Sequence, residues 1–181
     1  MAGSGYESAR YEIARFLYCS GLFEEEVAKA YSHMAEITVD MDVKCLLNYI
    51  ADDSYKHAKM FKALSGYPVN VGKCGFENCE KVLGSLWRNI TEYSSRILQE
   101  SEINNHGLLK LIDGLEKFEG FVAEEYMTVL NVKTIEHMAR ETGLNIEPYE
   151  MICEWIIEDE KRHEQILKVI KNLIVRSNNQ P

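Results

Sequence analysis

The chain contains an internal repeat of helical sequence, and this repeat limits the architectures that it can adopt. Segment 23–31 matches segment 118–126 at five of nine positions, with Phe, Glu, Val, Ala and Tyr in identical places. A second pair of segments, 50–57 and 156–163, shares Ile, Asp and His at the same spacing. Two helix pairs with the same landmarks indicate a duplicated helical hairpin, which normally packs about a pseudo-twofold axis as a four-helix bundle.

Apolar residues recur at helical spacing through most of the chain, and no segment alternates as a strand does. We therefore predict an all-α fold with a single domain over residues 1–181. It comprises four bundle helices, a short N-terminal helix and an extra helix in a long crossover between the second and third bundle helices. These are predicted at residues 22–38, 41–65, 108–134 and 147–175, at Tyr6–Tyr18, and at 80–101, respectively.

Short-range signals define several helix boundaries. Asp40 is a suitable N-cap for the second bundle helix, and Pro148 suits the first turn of the fourth. Ser20 and Gly21 predict a break or a bend before the first bundle helix. The third bundle helix is expected to end where a separate short helix, residues 133–142, begins, because only then do the acidic residues of the second half reach one level.

Charge and hydropathy exclude two classes of partner. The net charge is −9, and Lys and Arg are not clustered, so we expect no binding to nucleic acid. No apolar run approaches 18 residues and no signal peptide precedes Tyr6, so we expect no membrane association and a cytoplasmic location.

The five Cys residues are too few and too scattered for a secreted disulfide framework. Only Cys74 and Cys79 lie close together, and no pair of C-x-x-C motifs is present for a four-Cys zinc or rubredoxin-type iron site. We interpret Cys74 and Cys79 as two loop thiols or one local disulfide.

Glu160 and His163 are the strongest candidates for metal ligands. They stand three residues apart in a helical segment, so they share one face and can reach one ion together. This spacing is common by chance, but the repeat supports it, because His57 occupies the position of His163 in the first half.

At these residues the chain resembles the ferritin-like di-iron carboxylate superfamily, most closely its rubrerythrin-type branch, over roughly residues 22–66 and 108–175. That family places one Glu on the first helix, Glu-x-x-His on the second, one or two Glu on the third and Glu-x-x-His on the fourth. The resemblance implies five metal ligands, at Glu24, His57, Glu119, Glu160 and His163.

The second bundle helix departs from the family pattern at Ser54, which stands where the bridging Glu belongs. Serine is a poor ligand for iron, so the carboxylate set falls from four to three unless another acid contributes. Two candidates for this contribution are Glu116, one turn before Glu119, and Asp53, which shares a helix face with His57.

The resemblance implies a di-iron centre, with Mn or Zn as other metals, that reduces hydrogen peroxide or O₂. The rubredoxin-like iron domain of many rubrerythrins is missing, so electrons would come from a separate protein, and a homodimer is expected. Tyr31 and Tyr126 are core aromatics, hydrogen-bond partners of the metal-site carboxylates or residues that quench radicals. Two alternatives stay open: a metal-binding or iron-handling bundle that Ser54 impairs, and a metal-free helical scaffold.

Overall fold

The computed structural model describes residues 3–66, 76–121 and 147–178, and every regular element in these ranges is an α-helix. The prediction of an all-α fold is therefore confirmed for this part of the chain. None of the helices described is both long enough and apolar enough to cross a membrane. The helices are α1 (Gly3–Ile37), α2 (Met41–Leu64), α3 (Phe76–Leu83), α4 (Ser85–Ile97), α5 (Asn105–Phe121) and α6 (Glu147–Asn178).

The four long helices pack side by side as a bundle. Helices α1 and α2 form a hairpin, α6 packs against α2, and α5 packs against α6. The connection between α2 and α5 contains α3 and α4, and both of these helices pack against α1. The largest completely buried side chains of the core are Tyr31, Met34, Leu47, Ile50, Phe61, Ile90, Ile97, Ile112, Leu115, Ile156 and Leu167.

Helix α1 is continuous, so the chain has no helix break at Ser20 and Gly21. The prediction of a separate short N-terminal helix at Tyr6–Tyr18 is wrong, because these residues belong to α1. Gly21 allows a close approach of two helices: a Cβ atom there would lie 2.8 Å from Lys62 Cγ and 2.9 Å from the carbonyl oxygen of Ala58. The hydroxyl of Ser20 donates to the carbonyl of Phe16 at 2.9 Å, as serines inside helices commonly do. Gly21 therefore lies within a continuous helix and allows α2 to pack close to α1.

The boundaries of α2 and α6 agree with the prediction within a few residues. Asp40 is the N-cap of α2, where its carboxylate accepts hydrogen bonds from the backbone N–H groups of Asp42 and Val43 at 2.9 and 3.2 Å. Pro148 lies in the first turn of α6, where its missing N–H breaks no helical hydrogen bond.

The predicted single helix over residues 80–101 is two helices, α3 and α4. They meet at Gly84, whose φ of +60° is readily available only to glycine. Helix α5 begins at Asn105, three residues before the predicted start. The predicted end of the third bundle helix and the short helix at 133–142 lie outside the described residues.

A disulfide bond joins Cys19 of α1 to Cys79 of α3, across 60 residues of sequence. The interpretation of Cys79 as a loop thiol or the partner of Cys74 is therefore wrong. The pairing depends on α3 packing against α1, which residue spacing does not reveal. Cys74 lies outside the described residues.

Candidate metal centre

Three side chains from three helices meet inside the bundle: Glu24 of α1, His57 of α2 and Glu160 of α6. One ligand atom of each lies within 4.8 Å of the other two. Glu24 is 4% exposed, Glu160 3% and His57 0%. Water is therefore largely excluded from a group that includes two acids, so the cluster needs a compensating positive charge.

The cluster occupies positions that the packing pattern would otherwise fill with apolar side chains. On both α2 and α6, buried residues recur at alternating spacings of three and four, which places them on the face that packs inward. Polar residues interrupt each stripe in the middle. The stripe of α2 contains Leu47, Ile50, Ser54, His57 and Phe61, and that of α6 contains Cys153, Ile156, Glu160, His163 and Leu167.

Glu160 lies between two buried imidazoles and offers one oxygen to each. Its Oε1 is 2.9 Å from His57 Nδ1, and its Oε2 is 3.4 Å from His163 Nδ1. The two imidazole rings are 5.8 Å apart, centre to centre. Glu24 completes one side of the group, with its Oε2 3.9 Å from His57 Nδ1. Glu160 therefore connects the two imidazoles, and Glu24 lies on the side of His57.

Each histidine contacts an aspartate from the other helix. His57 Nε2 is 3.1 Å from Asp159 Oδ2, and His163 Nε2 is 3.4 Å from Asp53 Oδ2. The pairs are related by the sequence repeat, so the pseudo-twofold relation extends to side-chain contacts. A carboxylate on the far nitrogen fixes the orientation of the ring and leaves Nδ1 directed towards the cluster, as in carboxylate–histidine–metal arrangements.

Two basic side chains at the repeat-related positions 56 and 162 neutralise these aspartates. Lys56 Nζ donates to Asp53 Oδ1 at 2.6 Å and to Asp159 Oδ2 at 2.8 Å. Arg162 donates to Asp159 Oδ1. Burial raises the pKa of Asp159, but Lys56, His57 and Arg162 outweigh burial and lower it to about 2, so this carboxylate is ionised near neutral pH.

The ionisation of His57 depends on its carboxylate neighbours. Burial lowers the pKa of its imidazole, but Glu160 and Glu24 outweigh burial and raise it to about 10. In the absence of a bound cation, His57 is therefore protonated near neutral pH and compensates part of the buried negative charge.

The residues present fit a bound metal ion. His57 Nδ1 is completely buried, 2.9 Å from Glu160 Oε1 and 3.9 Å from Glu24 Oε2. One imidazole nitrogen and two carboxylate oxygens are therefore available to a single cation. Imidazole nitrogen with carboxylate oxygen is a donor set that suits Fe, Mn and Zn. This buried group of Glu24, His57 and Glu160 could therefore hold a metal ion.

The other predicted site residues occupy varied positions. Glu116 pairs with Lys171, two turns beyond His163 on α6, and Asp53 contacts His163. Tyr31 is completely buried in the core. The side chains of Glu119 and Tyr126 lie outside the described residues, so their predicted roles stay predictions.

Sequence reasoning did not identify Asp159, Lys56 or Arg162 as parts of the centre. The repeat aligns Asp53 with Asp159, and this alignment was the available signal. Spacing along one helix suggested that Asp53 joins His57, whereas the packing of α2 on α6 pairs each aspartate with the histidine of the opposite helix.

Ser54 occupies the place in α2 that Glu160 occupies in α6, and its side chain is 1% exposed. Its hydroxyl has no hydrogen-bond partner among the described residues. The pseudo-twofold relation therefore holds for both histidines and both aspartates but not for the carboxylate between them.

Neither a protein-family model nor a curated protein nor a solved structure matches the chain.

Proposed function

We propose that the protein is a ferritin-like, rubrerythrin-type di-metal oxidoreductase. In this proposal it binds two iron ions and reduces hydrogen peroxide or O₂ with electrons from a separate protein. The observation that carries the proposal is the position of Glu160, whose two oxygens face the Nδ1 atoms of His57 and His163. The packing of a helical core does not require a carboxylate between two buried imidazoles, and burying one costs desolvation free energy.

The order and packing of the helices support the ferritin-like part of the proposal. Such bundles connect two helical hairpins through a long crossover. Here the hairpin of α1 and α2 is followed by a connection that contains α3 and α4, and then by α5 and α6, which pack together. Glu24 on α1, His57 on α2, and Glu160 and His163 on α6 face one interior region.

Each residue has a defined role in this proposal. Glu160, His57 and His163 would hold the two ions, and Glu24 would complete the ligand set on the side of His57. Bound iron would supply one-electron exchange between Fe(II) and Fe(III). Asp53 and Asp159 hold the imidazoles in orientation, and the surrounding apolar residues keep bulk water away from the ions.

A second candidate function is single-metal binding without redox catalysis, and Ser54 favours it. The described acids at the centre, Glu24 and Glu160, carry two negative charges, which balance one divalent ion. Because Ser54 provides no carboxylate, a second ion would need a further anionic ligand, such as the predicted Glu119. Zinc, which has no redox chemistry, would suit a single site with this donor set.

Metal analysis of purified protein reconstituted with Fe(II) tests the proposal. We expect about two ions per chain for the di-metal protein and about one for the single-metal candidate, measured by plasma mass spectrometry. Glu160→Gln should lose most of the bound metal. Glu164→Gln, on the same helix and paired with Lys168, is the matched control and should retain it.

Absence of bound metal in the wild-type protein, or equal metal content in Glu160→Gln and the wild type, would contradict both candidates. If two ions bind, peroxide consumption with a chemical reductant separates a catalytic centre from a storage site.

A further inference from the structure

The hydroxyl of Ser54 is a buried polar group that the fold itself does not use. A serine inside a helix can donate its hydroxyl hydrogen to the carbonyl four residues earlier. Ser20 does this at 2.9 Å to Phe16, and Thr91 does it at 2.9 Å to Trp87. Ser54 is 1% exposed, yet its hydroxyl has no hydrogen-bond partner among the described residues.

The position of Ser54 distinguishes it from other buried hydroxyls without a partner. Thr38 and Ser94 share that condition elsewhere in the bundle. Ser54 alone of the three lies one helical turn before His57, on the face of α2 that carries the metal centre. The sequence repeat and the crossed histidine–aspartate contacts both make Ser54 the counterpart of Glu160.

Comparison of Ser54 with Glu160 shows that the serine lacks a carboxylate. Glu160 extends a carboxylate to both imidazoles, whereas serine ends at a hydroxyl where glutamate has its Cγ. A formate ion hydrogen-bonded to that hydroxyl would bring a carboxylate to the same face of α2. Serine and formate together would therefore supply the charge of the missing side chain, with a hydrogen bond in place of its Cγ–Cδ bond.

The charge of the centre favours an anion at this place. Two divalent ions bring four positive charges, and among the described residues Glu24 and Glu160 compensate two of them. A buried excess of positive charge is costly, so a monoanion that enters with the metal reduces the cost. The hydroxyl of Ser54 can donate one hydrogen bond to such an anion, and a hydrogen bond to a charged acceptor is among the stronger ones.

We propose that Ser54 creates a binding position for a small exogenous monocarboxylate of the formate class, on the side of the metal centre opposite Glu160. This inference rests on the proposed di-metal function. The carboxylate would be an exchangeable ligand, in contrast to Glu160, so the chemical environment could modulate the centre through it. Larger carboxylates such as benzoate would be excluded, because the position is enclosed by the bundle.

The test uses the full chain loaded with Co(II), whose visible absorption reports its ligands without any measurement of activity. We expect formate, but not benzoate, to change the spectrum of the wild-type protein in a saturable way. Ser54→Ala should weaken formate binding by roughly tenfold, the effect of one lost hydrogen bond to an anion. Ser54→Glu should abolish the response, since its own carboxylate would fill the position.

Ser94→Ala is the matched control, because it removes another buried hydroxyl without a partner, on α4, and should leave formate binding unchanged. If Co(II) does not bind to the wild-type protein, the proposed function fails. If Co(II) binds but formate has no effect, or affects Ser54→Glu equally, the carboxylate position fails while the metal centre stands.

Discussion

At the scale of single residues, the centre of the molecule combines groups that a helical core normally avoids. Glu24, Glu160, His57 and His163 are at most 4% exposed. Asp159 and Asp53 contact the outer nitrogens of the two histidines. In the metal-free protein a proton on His57 has to provide the positive charge that a metal ion would otherwise supply. The stability of the metal-free protein is therefore linked to pH.

We expect metal-free protein to lose stability as the pH rises above neutrality. The pKa of His57 is raised from its ordinary value of 6.5 to about 10 in the fold. A group with a raised pKa contributes stability fully below its unfolded pKa and loses that contribution as the pH rises through the folded pKa. After chelation, the melting temperature followed by circular dichroism should fall progressively between about pH 6.5 and 10.

His57→Gln should flatten this pH dependence, whereas the change His106→Gln, at an exposed histidine, should not. A melting temperature of the metal-free wild type that stays constant across this range would contradict the assigned charge state of His57.

We expect the two free cysteines of the described residues to differ in reactivity. Cys45 is exposed, whereas Cys153 is buried, and burial raises the pKa of its thiol to about 11. The thiolate is the reactive form, so iodoacetamide at about pH 8 should label Cys45 within minutes and leave Cys153 unmodified in folded protein. Peptide mass spectrometry distinguishes the two sites, and unfolded protein, in which both react, is the control. Rapid labelling of Cys153 in the folded state would refute its buried position.

At the scale of helices, much of the architecture could be predicted, because helix signals are local. Apolar periodicity and the N-cap at Asp40 predicted both ends of α2 to within one residue. Gly21 was misinterpreted, since the role of a glycine depends on what faces it, and the facing residues Ala58 and Lys62 are on another helix. The pairing of Cys19 with Cys79 was missed for the same reason.

We expect substitution of Gly21 to destabilise the protein even though alanine favours helices. Alanine gains about 1 kcal/mol over glycine inside a helix, but its Cβ would meet the carbonyl oxygen of Ala58 at 2.9 Å. Overpacking of this kind typically costs about 1–3 kcal/mol, so the net effect of Gly21→Ala should be a loss. Gly21→Val should lose more. Guanidinium unfolding measures both, and a stabilised Gly21→Ala would show that α1 and α2 are farther apart.

Loss of the α2 N-cap should destabilise the protein independently of Gly21. Asp40→Ala removes the acceptor of two backbone N–H groups and should cost about 1 kcal/mol of unfolding free energy. Metal content should not change, because Asp40 precedes the first turn of α2, whereas His57 lies in the second half of that helix. An Asp40→Asn variant, which retains capping ability, is the control and should be close to wild type.

At the scale of the whole molecule, the sequence repeat correctly predicted that the two halves of the centre are related. It did not identify every residue that belongs to the centre. Both histidines and the carboxylate of Glu160 were identified from the repeat and from helical spacing. The crossed aspartates were not, because their partners are on opposite helices. The remaining predicted ligand is Glu119, whose side chain is outside the described part of the structure, so its role stays a prediction.

Reduction of the Cys19–Cys79 disulfide should destabilise the molecule as a whole. The bond closes a loop of 60 residues, and the loss of loop entropy in the unfolded chain corresponds to about 4 kcal/mol in the chain-entropy model. We expect the free energy of unfolding to fall by about 2–4 kcal/mol in a reducing agent. Cys19→Ser should show the same loss without reductant, and Cys45→Ser should show none. Equal stability of reduced and oxidised protein would contradict the bond.

Anomalous scattering from crystals of iron-reconstituted protein tests the metal centre most directly. We predict two peaks at the iron edge, one within coordination distance of His57 and the other of His163, with the carboxylate of Glu160 between them. A single peak beside His57 and Glu24 would support the single-metal candidate. The absence of any peak at these residues would contradict the metal centre itself.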